Sequence, residues 1–172
     1  DISAYRGDRY KDKRNLCNFF QKNNIYKVRR YEDADCRQVL ELFECWKQGR
    51  LKAERDDMYK YLIQDSSKVF SFMLKYLSEL RITANVVEVK NKIAAFTCGY
   101  PVGNKTFCIN FEIADLNYKG LAQFTFREFS RSLNEYEELN IMDDSGIESL
   151  KKTKLSFKPV KNIASFNVLM KS

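Results

Sequence analysis

The sequence predicts an α+β fold in which a mostly antiparallel, mixed sheet is flanked by helices on both faces. Three observations support this prediction. Apolar residues recur at helical spacing through roughly the first half, three β-rich runs joined by short turns follow, and the rest alternates helix, strand, helix and strand. We expect residues 1–172 to form a single domain, because this length is typical of one hydrophobic core.

Composition limits the class of protein. Hydrophobic residues make up 44% of the 172 residues and aromatic residues 14%, which is enough to bury a core. No apolar run approaches the roughly 20 residues that span a bilayer, so we expect a soluble, cytoplasmic domain. The net charge of +7 favours an anionic partner such as nucleic acid, a phosphate cofactor or a lipid surface, although an ordinary basic protein carries the same charge.

The chain contains no histidine, which restricts its chemistry. Nucleophile systems built on histidine and the common histidine zinc sites are excluded, so a general base must be Asp, Glu, Lys, Tyr or a substrate amine. The five cysteines are odd in number and include no C-x-x-C pair. We therefore expect no metal site and no disulfide framework, and the cysteines fit a reducing compartment.

The first half of the chain predicts three helices and one strand. In chain order these are a helix over 8–22, a strand over 25–31, a helix over 33–49 and a helix from 66 to 80. Asp33 is the expected N-cap of the second helix, and Gly49 is expected to end it. Residues 50–63 are highly charged with helical propensity, and Ser66 or Ser67 is the expected cap of the third helix.

The second half predicts the sheet and two more helices. In chain order these are strands over 85–89, 92–99 and 106–113, a helix over 119–134, a strand over 138–142, a helix over 147–154 and a strand over 162–170. A turn is expected over 100–104. The strand over 106–113 alternates strictly and should have two faces. Its apolar face is Phe107, Ile109, Phe111 and Ile113, and its polar face is Thr106, Cys108, Asn110 and Glu112.

This order of elements matches that of the GNAT acyltransferases, so a GNAT-like acyltransferase fold is the specific expectation. GNAT enzymes place Gln/Arg-x-x-Gly-x-Gly/Ala after the equivalent strand, where backbone N–H groups and a helix N-terminus hold a pyrophosphate. Asn117, Gly120 and Ala122 form a degenerate copy of that motif. The alternative interpretation is a helix start whose glycine permits close packing.

Three further groups could carry chemistry, and each has a plainer alternative. Glu112 and Asp115 lie where a strand leads into a loop, a common place for sites, or they face solvent. Asp144 either takes part in catalysis or caps a helix. The basic cluster contacts a phosphate backbone or forms a solvated face, and consists of Lys151, Lys152, Lys154, Lys158 and Lys161. We expect Glu112, Asp115, Asp144 and Lys154 to meet in the largest pocket.

Five motifs occur in register with those of one known family. They are Lys13-Arg14-Asn15, Lys92-Ile93-x-Ala95-Phe96-Thr97, Phe111-Glu112-x-Ala114-Asp115, Tyr118-Lys119-Gly120-x-x-Gln123 and Asp144-x-Gly146-x-x-x-Leu150-x-x-x-Lys154-x-Ser156-Phe157-x-Pro159. The chain therefore resembles the C-terminal domain family of the phosphatidylglycerol lysyltransferases over nearly its whole length. One departure is Leu16, which stands where the family usually has histidine.

The resemblance implies a GNAT-type domain, often the second of two in tandem, with the preceding GNAT-like domain missing from this chain. Characterised members transfer an aminoacyl group from aminoacyl-tRNA to an acceptor such as a lipid headgroup. We therefore expect acyl transfer to an amine or hydroxyl on a lipid, peptide or small amine, without a bound cofactor. There are two alternatives. The donor is a coenzyme A thioester, or the domain is non-catalytic and binds RNA or protein.

The resemblance also implies roles for individual residues. Glu112 or Asp115 would hold the aminoacyl ammonium group or the acceptor, and Lys154 would stabilise negative charge at the carbonyl or a terminal phosphate. Asp144 and Glu148 would orient this cluster or bind the ammonium group. The donor-binding residues would be Lys13, Arg14, Asn15, Tyr118, Lys119, Gly120, Gln123 and Glu148, the first two at tRNA phosphates.

Overall fold

The computed structural model describes residues 3–53 and 57–164. The helices are α1 (Lys11–Asn23), α2 (Cys36–Ala53), α3 (Asp57–Lys75), α4 (Leu121–Arg131) and α5 (Glu148–Leu155). The strands are β1 (Tyr26–Arg30), β2 (Thr83–Val89), β3 (Lys92–Val102), β4 (Thr106–Ala114) and β5 (Glu138–Asn140). Short 3-10 turns lead into α1 and α2.

The five strands form one sheet in the order β1-β2-β3-β4-β5. The first four pair in antiparallel fashion, and β5 pairs in parallel with β4 through Thr106, Phe107 and Cys108. A parallel pair needs a long crossover connection, which α4 supplies here. The prediction of a mixed, mostly antiparallel sheet is confirmed.

Helices cover both faces of the sheet, as predicted. On one face α1 and α4 pack a core that includes Phe20, Phe107, Phe124 and Phe129. On the other face α2 and α3 pack a second core that includes Val39, Phe43, Phe70 and Phe96. Burying both faces explains why the central strands β2 and β3 read as nearly continuous apolar runs.

A bulge in β4 changes the face on which its second half presents each side chain. Cys98 pairs with Phe111 but the next residue, Gly99, pairs with Ile109, so Asn110 is an extra residue. The predicted strict alternation is therefore wrong. Ile109 belongs to the α1 and α4 core, whereas Phe111 packs against the α2 and α3 core. The side chain of Glu112 consequently shares a face with Phe107 and Ile109 rather than opposing them.

Gly99 permits this bulge because it removes the side chain from a crowded point. A Cβ at residue 99 would lie 2.1 Å from the carbonyl oxygen of Cys108 and 2.6 Å from the ring of Phe107. Real Cβ atoms do not approach backbone oxygens so closely, so the two strands can meet this way only at glycine.

Several predicted boundaries differ from those of the structure. Glu32, rather than Asp33, caps the entry to α2 through a reciprocal capping box. Gly49 lies inside α2, and Ser66 and Ser67 lie inside α3. Local propensity alone misplaces these ends because tertiary packing extends both helices. The expected turn over 100–104 begins later, after β3 ends at Val102.

The ends of the last elements also differ. The helix predicted over 119–134 is the shorter α4, and the strand predicted over 138–142 ends at Asn140. The strand predicted over 162–170 lies largely outside the described residues, and residues 162–164 have no regular structure. These differences fall at element boundaries, which are set by hydrogen bonding more than by apolar periodicity.

Two glycine substitutions should have opposite effects on stability. Gly99→Ala should lower the free energy of unfolding by about 2–4 kcal/mol, because the new Cβ overlaps the β4 backbone. Gly49→Ala should raise it by about 0.5–1 kcal/mol, since its Cβ would meet nothing within 4 Å and alanine favours the helix. Urea unfolding of both variants measures the two effects. A Gly99→Ala variant as stable as the parent would contradict the bulge geometry.

Candidate functional site

An open wedge between β4 and β5 forms the candidate site. The two strands pair only over three residues of β4, so in the described parts of the chain no strand borders Asn110 to Ala114 on that side. Glu112 lies on this free half of β4, half-buried, with the α1 and α4 layer above it. The Glu112 carboxyl thus faces the α1 and α4 layer beside the part of β4 that β5 does not pair.

Lys13 acts on Glu112 from α1, and each charge affects the other. Burial raises the pKa of Glu112 to about 7, and the positive charge of Lys13 opposes part of that rise. Burial lowers the pKa of Lys13, and the negative charge of Glu112 is the largest of the effects that oppose this shift. A carboxyl with a pKa near neutrality both accepts and releases a proton at physiological pH, as a general base must.

The residues that follow α5 lie against Lys13. The Lys13 Nζ donates a hydrogen bond to Ser156 Oγ (3.0 Å) and lies 3.8 Å from the centre of the Phe157 ring. That ring also packs on Phe126, with 4.4 Å between ring centres, and the Phe157 carbonyl accepts a hydrogen bond from the Tyr10 hydroxyl (2.9 Å). The motif Ser156-Phe157 was visible in the sequence, but only the fold shows that it contacts α1.

The segment before α1 closes another side of the site. Arg14 Nη1 donates to the backbone carbonyls of Tyr5 (2.5 Å) and Gly7 (2.6 Å). Tyr5 is fully buried, and its hydroxyl donates to the Gln123 carbonyl (3.2 Å). Burial is the main cause of the raised pKa of Tyr5, and the charge of Glu112 raises it further. Arg14 therefore anchors this segment, and Tyr5 is a site residue that no sequence signal indicated.

Lys154 lies just beyond β5 at the opposite side of the wedge. Its Nζ donates to the Ile141 carbonyl at 2.5 Å. Burial lowers the pKa of Lys154, and Asp143, Asp144 and Cys108 oppose that shift in decreasing order. Because Lys154 precedes the Ser156-Phe157 contacts by two residues, α5 connects it to the Lys13 side of the site.

Asp144 serves mainly as the entry to α5. Its Oδ1 accepts the Gly146 N–H at 2.9 Å, which closes a local turn before the helix. The N-cap of α5 is Ile147 and no side chain among the described residues caps it, so the interpretation of Asp144 as a helix cap is wrong. Its charge also acts on Lys154, so it is close enough to influence the site. Glu148 is exposed and lies 3.9 Å from Lys152, which makes it a surface ion pair. The structure thus brings Asp144 to Lys154 but leaves Glu148 on the surface.

Asp115 lies away from the other predicted acids. It lines a cleft of about 410 Å³ between α2 and the loop after β4, together with Glu41 and Trp46. Glu112 and Lys154 do not line that cleft, so the expectation that all would meet in one pocket is wrong. Their spacing explains the separation, because residues three positions apart in an extended segment face opposite sides of the sheet. Asp115 Oδ1 accepts the Asn117 N–H (2.9 Å) and shapes the loop.

The turn before α4 is a close-packed helix start. Gly120 has φ of 86°, and a Cβ there would lie 2.1 Å from the Leu16 carbonyl oxygen. The backbone N–H groups of Asn117, Tyr118 and Leu121 donate within the turn itself. The Cα face of Gly120 is therefore covered by α1, and we expect Gly120→Val to disrupt folding before ligand binding.

The remaining donor-binding residues divide between core and surface. Tyr118 packs against the α1 and α4 core, and the backbone carbonyl of Gln123 accepts the Tyr5 hydroxyl. Asn15 is exposed, and Lys119 is exposed with its Nζ 5.0 Å from the Phe19 ring centre. Asn15 and Lys119 are thus free to meet a large ligand, whereas Tyr118 supports the site from behind.

The family of the chain follows from its match over residues 4–168 to the family model described as phosphatidylglycerol lysyltransferase, C-terminal. The chain belongs to this family. The match includes every strand of the sheet and both sides of the wedge, so the resemblance that the five motifs indicated is confirmed. No curated protein matches the chain significantly.

Solved structures similar to this family member share its fold. A conserved protein of unknown function from Bacteroides thetaiotaomicron VPI-5482 is 26% identical, with a TM-score of 0.77 over 94% of this chain and 53% of that one. The C-terminal domain of a protein named as a lysylphosphatidylglycerol synthetase, from Agrobacterium fabrum, is 14% identical, with a TM-score of 0.53 over 92% and 54%. This family member thus spans about half the length of both chains.

A third similar structure is a single acetyltransferase domain. The ribosomal-protein-alanine N-acetyltransferase from Brucella melitensis biovar Abortus 2308 is 14% identical, with a TM-score of 0.55 over 86% of this chain and all of that one. The likeness confirms the predicted GNAT-like α+β fold. Across residues 3–53 and 57–164, no helix is long and apolar enough to cross a bilayer, and no cluster of His, Cys, Asp and Glu could hold a metal ion.

The pKa of Glu112 should make stability depend on pH. Because folding raises this pKa from its unfolded value near 4.3 to about 7, the carboxyl favours the folded state below pH 4 and loses that contribution as the pH rises through 7. Glu112→Gln removes the dependence. Relative to the parent, the variant should gain about 1–2 kcal/mol between pH 5 and pH 8.5.

Urea unfolding at both pH values measures this gain. Glu137→Gln is the matched control, since Glu137 is an exposed surface partner of Lys105 and should show no such difference. Equal stability differences at both pH values for Glu112→Gln would contradict a buried, near-neutral carboxyl.

Proposed function

We propose that this domain transfers an aminoacyl group from aminoacyl-tRNA to an amine or hydroxyl acceptor, with Glu112 as the general base. The observation that carries the proposal is the carboxyl of Glu112 at the open wedge, with a pKa of about 7 and Lys13 acting on it. Membership of the lysyltransferase C-terminal family supports acyl transfer as the reaction class.

The reaction needs one proton to move and one bond to exchange. The acceptor oxygen or nitrogen attacks the ester carbonyl while Glu112 takes its proton, and a bond forms between acceptor and carbonyl carbon. The bond from that carbon to the terminal ribose oxygen then breaks, and the proton on Glu112 passes to the departing oxygen. No covalent enzyme intermediate is required, so the absence of histidine from the sequence is no obstacle.

Two ammonium groups flank the wedge and suit the negative charge of the transition state. Lys13 acts on Glu112 from α1, and Lys154 lies beyond β5 on the Ile141 carbonyl. Fixed positive charge in a partly desolvated site stabilises a developing oxyanion more strongly than it would in water. We assign Lys154 the role of stabilising negative charge on the carbonyl oxygen in the transition state. Lys13 balances the negative charge of Glu112.

The turn before α4 favours a tRNA donor over coenzyme A. A pyrophosphate cradle requires free N–H groups and close approach to glycine, but Leu16 covers Gly120 and three turn amides are already bonded. Exposed cations instead occur at the start of α1 and just before it, in the turn before α4, and in and after α5, namely Arg9, Lys11, Lys119, Lys151, Lys152, Lys158 and Lys161. RNA affinity rests on such phosphate contacts.

The family supports a proposal for the acceptor and the setting. A lipid headgroup is the proposed acceptor, because the family model and the name of the Agrobacterium protein both refer to a phosphatidylglycerol lipid. We also propose that the domain works beside a second GNAT-like domain, since this chain spans about half of two similar chains. Aminoacyl-tRNA as donor would place the reaction in the cytoplasm.

Salt dependence of tRNA binding tests the donor. Changing Lys151, Lys152 and Lys158 to Gln should weaken aminoacyl-tRNA binding and flatten the slope of log affinity against log salt by about two units, because each lost phosphate contact removes about 0.7–0.9. Filter binding at four salt concentrations measures the slope. A matched triple variant of Lys68, Lys75 and Arg81, on or just after α3, should keep the parent slope.

The reaction itself is tested with phosphatidylglycerol vesicles and tRNA charged with a radiolabelled amino acid. Glu112→Gln should lower the single-turnover transfer rate about 100-fold or more while tRNA affinity stays within twofold. An equal slope for both triple variants, or stabilisation of the protein by acetyl-CoA and not by tRNA, would contradict the tRNA donor. Full activity of Glu112→Gln would contradict the base.

A further inference from the structure

A row of polar side chains crosses the sheet behind Glu112. The strand register places Asn85 of β2 opposite Thr97 of β3, and Thr97 opposite Glu112 of β4. Directly opposed residues have Cβ atoms about 4.5–5.5 Å apart. Two positions along, Val87 and Ala95 belong to the α1 and α4 core, so Asn85 and Thr97 face the same layer as Glu112.

Two atoms of this row are buried without a hydrogen bond to the protein. Thr97 is fully buried and its Oγ1 has no partner, and the Oδ1 of Asn85 is in the same condition. The Asn85 amide nitrogen donates to Ser132 Oγ (3.3 Å) at the end of α4. A buried, unsatisfied polar atom destabilises the fold, and valine would fit the surrounding Val, Ala and Phe side chains better.

We propose that Thr97 is a positioning residue for Glu112, whose hydroxyl donates to the carboxylate directly or through one bridging water, with Asn85 holding Thr97 in place. A small side-chain movement or one water suffices, because opposed side chains on neighbouring strands are already adjacent. The single hydroxyl proton of Thr97 goes to the carboxylate, and the Thr97 oxygen can accept the second N–H of the Asn85 amide, whose first N–H donates to Ser132 Oγ. The inference rests on the proposed role of Glu112 as the base.

Ionisable groups from α1, from the segment before it and from α4 also act on this part of the site. Lys13 and Cys17 lie on α1, Tyr5 precedes that helix, and Arg127 on α4 acts on Tyr5 and Cys17. Thr97 is uncharged and lies on β3, beneath the carboxyl rather than above it. Removing its hydroxyl leaves every one of those charges in place, so its contribution can be measured separately.

Thr97→Val tests the proposal, because valine has the same shape and lacks the hydroxyl. Loss of a hydrogen bond to the carboxylate should raise the pKa of Glu112 by about one unit, a tenfold change in its protonation equilibrium. Titration of ¹³C-labelled glutamate carboxyl carbons by NMR measures this value, with Glu112→Gln identifying the signal. Thr97→Ser keeps the hydroxyl and should give the parent pKa of Glu112 within about 0.3 units. If the Thr97→Val protein does not fold, Thr97→Ala takes its place in the comparison.

Thr83→Val is the matched control, since Thr83 lies on β2 opposite Gly99 and away from Glu112. It should leave the Glu112 signal unchanged. An unchanged Glu112 pKa in Thr97→Val, or an equal rise in Thr97→Ser, would overturn the proposal. The titration needs no substrate, so failure of aminoacyl transfer would not alter its outcome. If transfer is observed, the pH–rate profile of Thr97→Val should move by the same amount as the pKa.

Discussion

The close approach of the β3 and β4 backbones at Gly99 is the constraint on which the site depends. It leaves Asn110 as an extra residue in β4 and reverses the facing of every later side chain in that strand. Without the bulge, Glu112 would face α2 and α3, where no lysine of α1 could reach it. One glycine thus determines which layer of the molecule the carboxyl meets. Bulges commonly re-aim side chains next to functional sites.

The second constraint is α5, which joins the two layers at the open side of the wedge. The start of α5 packs beside Tyr59 and Ile63 of α3. The residues that follow its end, Ser156 and Phe157, contact Lys13 of α1. The helix therefore connects the residue that follows β5 to the Lys13 side of the site. Lys154 lies in the last turn of α5, and its Nζ is held in place by the hydrogen bond to the Ile141 carbonyl.

Burial gives the two charges of the wedge their character. Lys13 and Glu112 each lose solvation in the site, and each offsets part of the cost of the other. The result is a carboxyl that titrates near neutrality beside a cation, an arrangement of the kind found at functional sites. Structural ion pairs elsewhere, such as Arg29 with Asp35, instead hold the carboxyl pKa well below its usual range.

Periodicity and motif order were sufficient to predict the fold class, the helix layers and the family. They could not predict the face of Glu112, because strand alternation assumes a regular ladder and a bulge depends on a contact between two strands. They also missed Tyr5, which belongs to no motif. Thr97 ends the motif Lys92-Ile93-x-Ala95-Phe96-Thr97, but the motif assigned it no role, because both residues matter only through neighbours distant in sequence. The helix ends at Gly49 and Ser66 were wrong for a related reason, since packing extended α2 and α3 past local signals.

The most direct test of the account is the pKa of Glu112 in a Lys13→Met variant, measured by NMR titration of its carboxyl carbon. Methionine keeps the length of the lysine side chain and removes the charge that opposes the raised pKa. The account predicts that the pKa of Glu112, already about 7, rises by at least about half a unit. A value that is unchanged by the substitution and near 4.3 would show that Glu112 does not face α1, and would contradict the site.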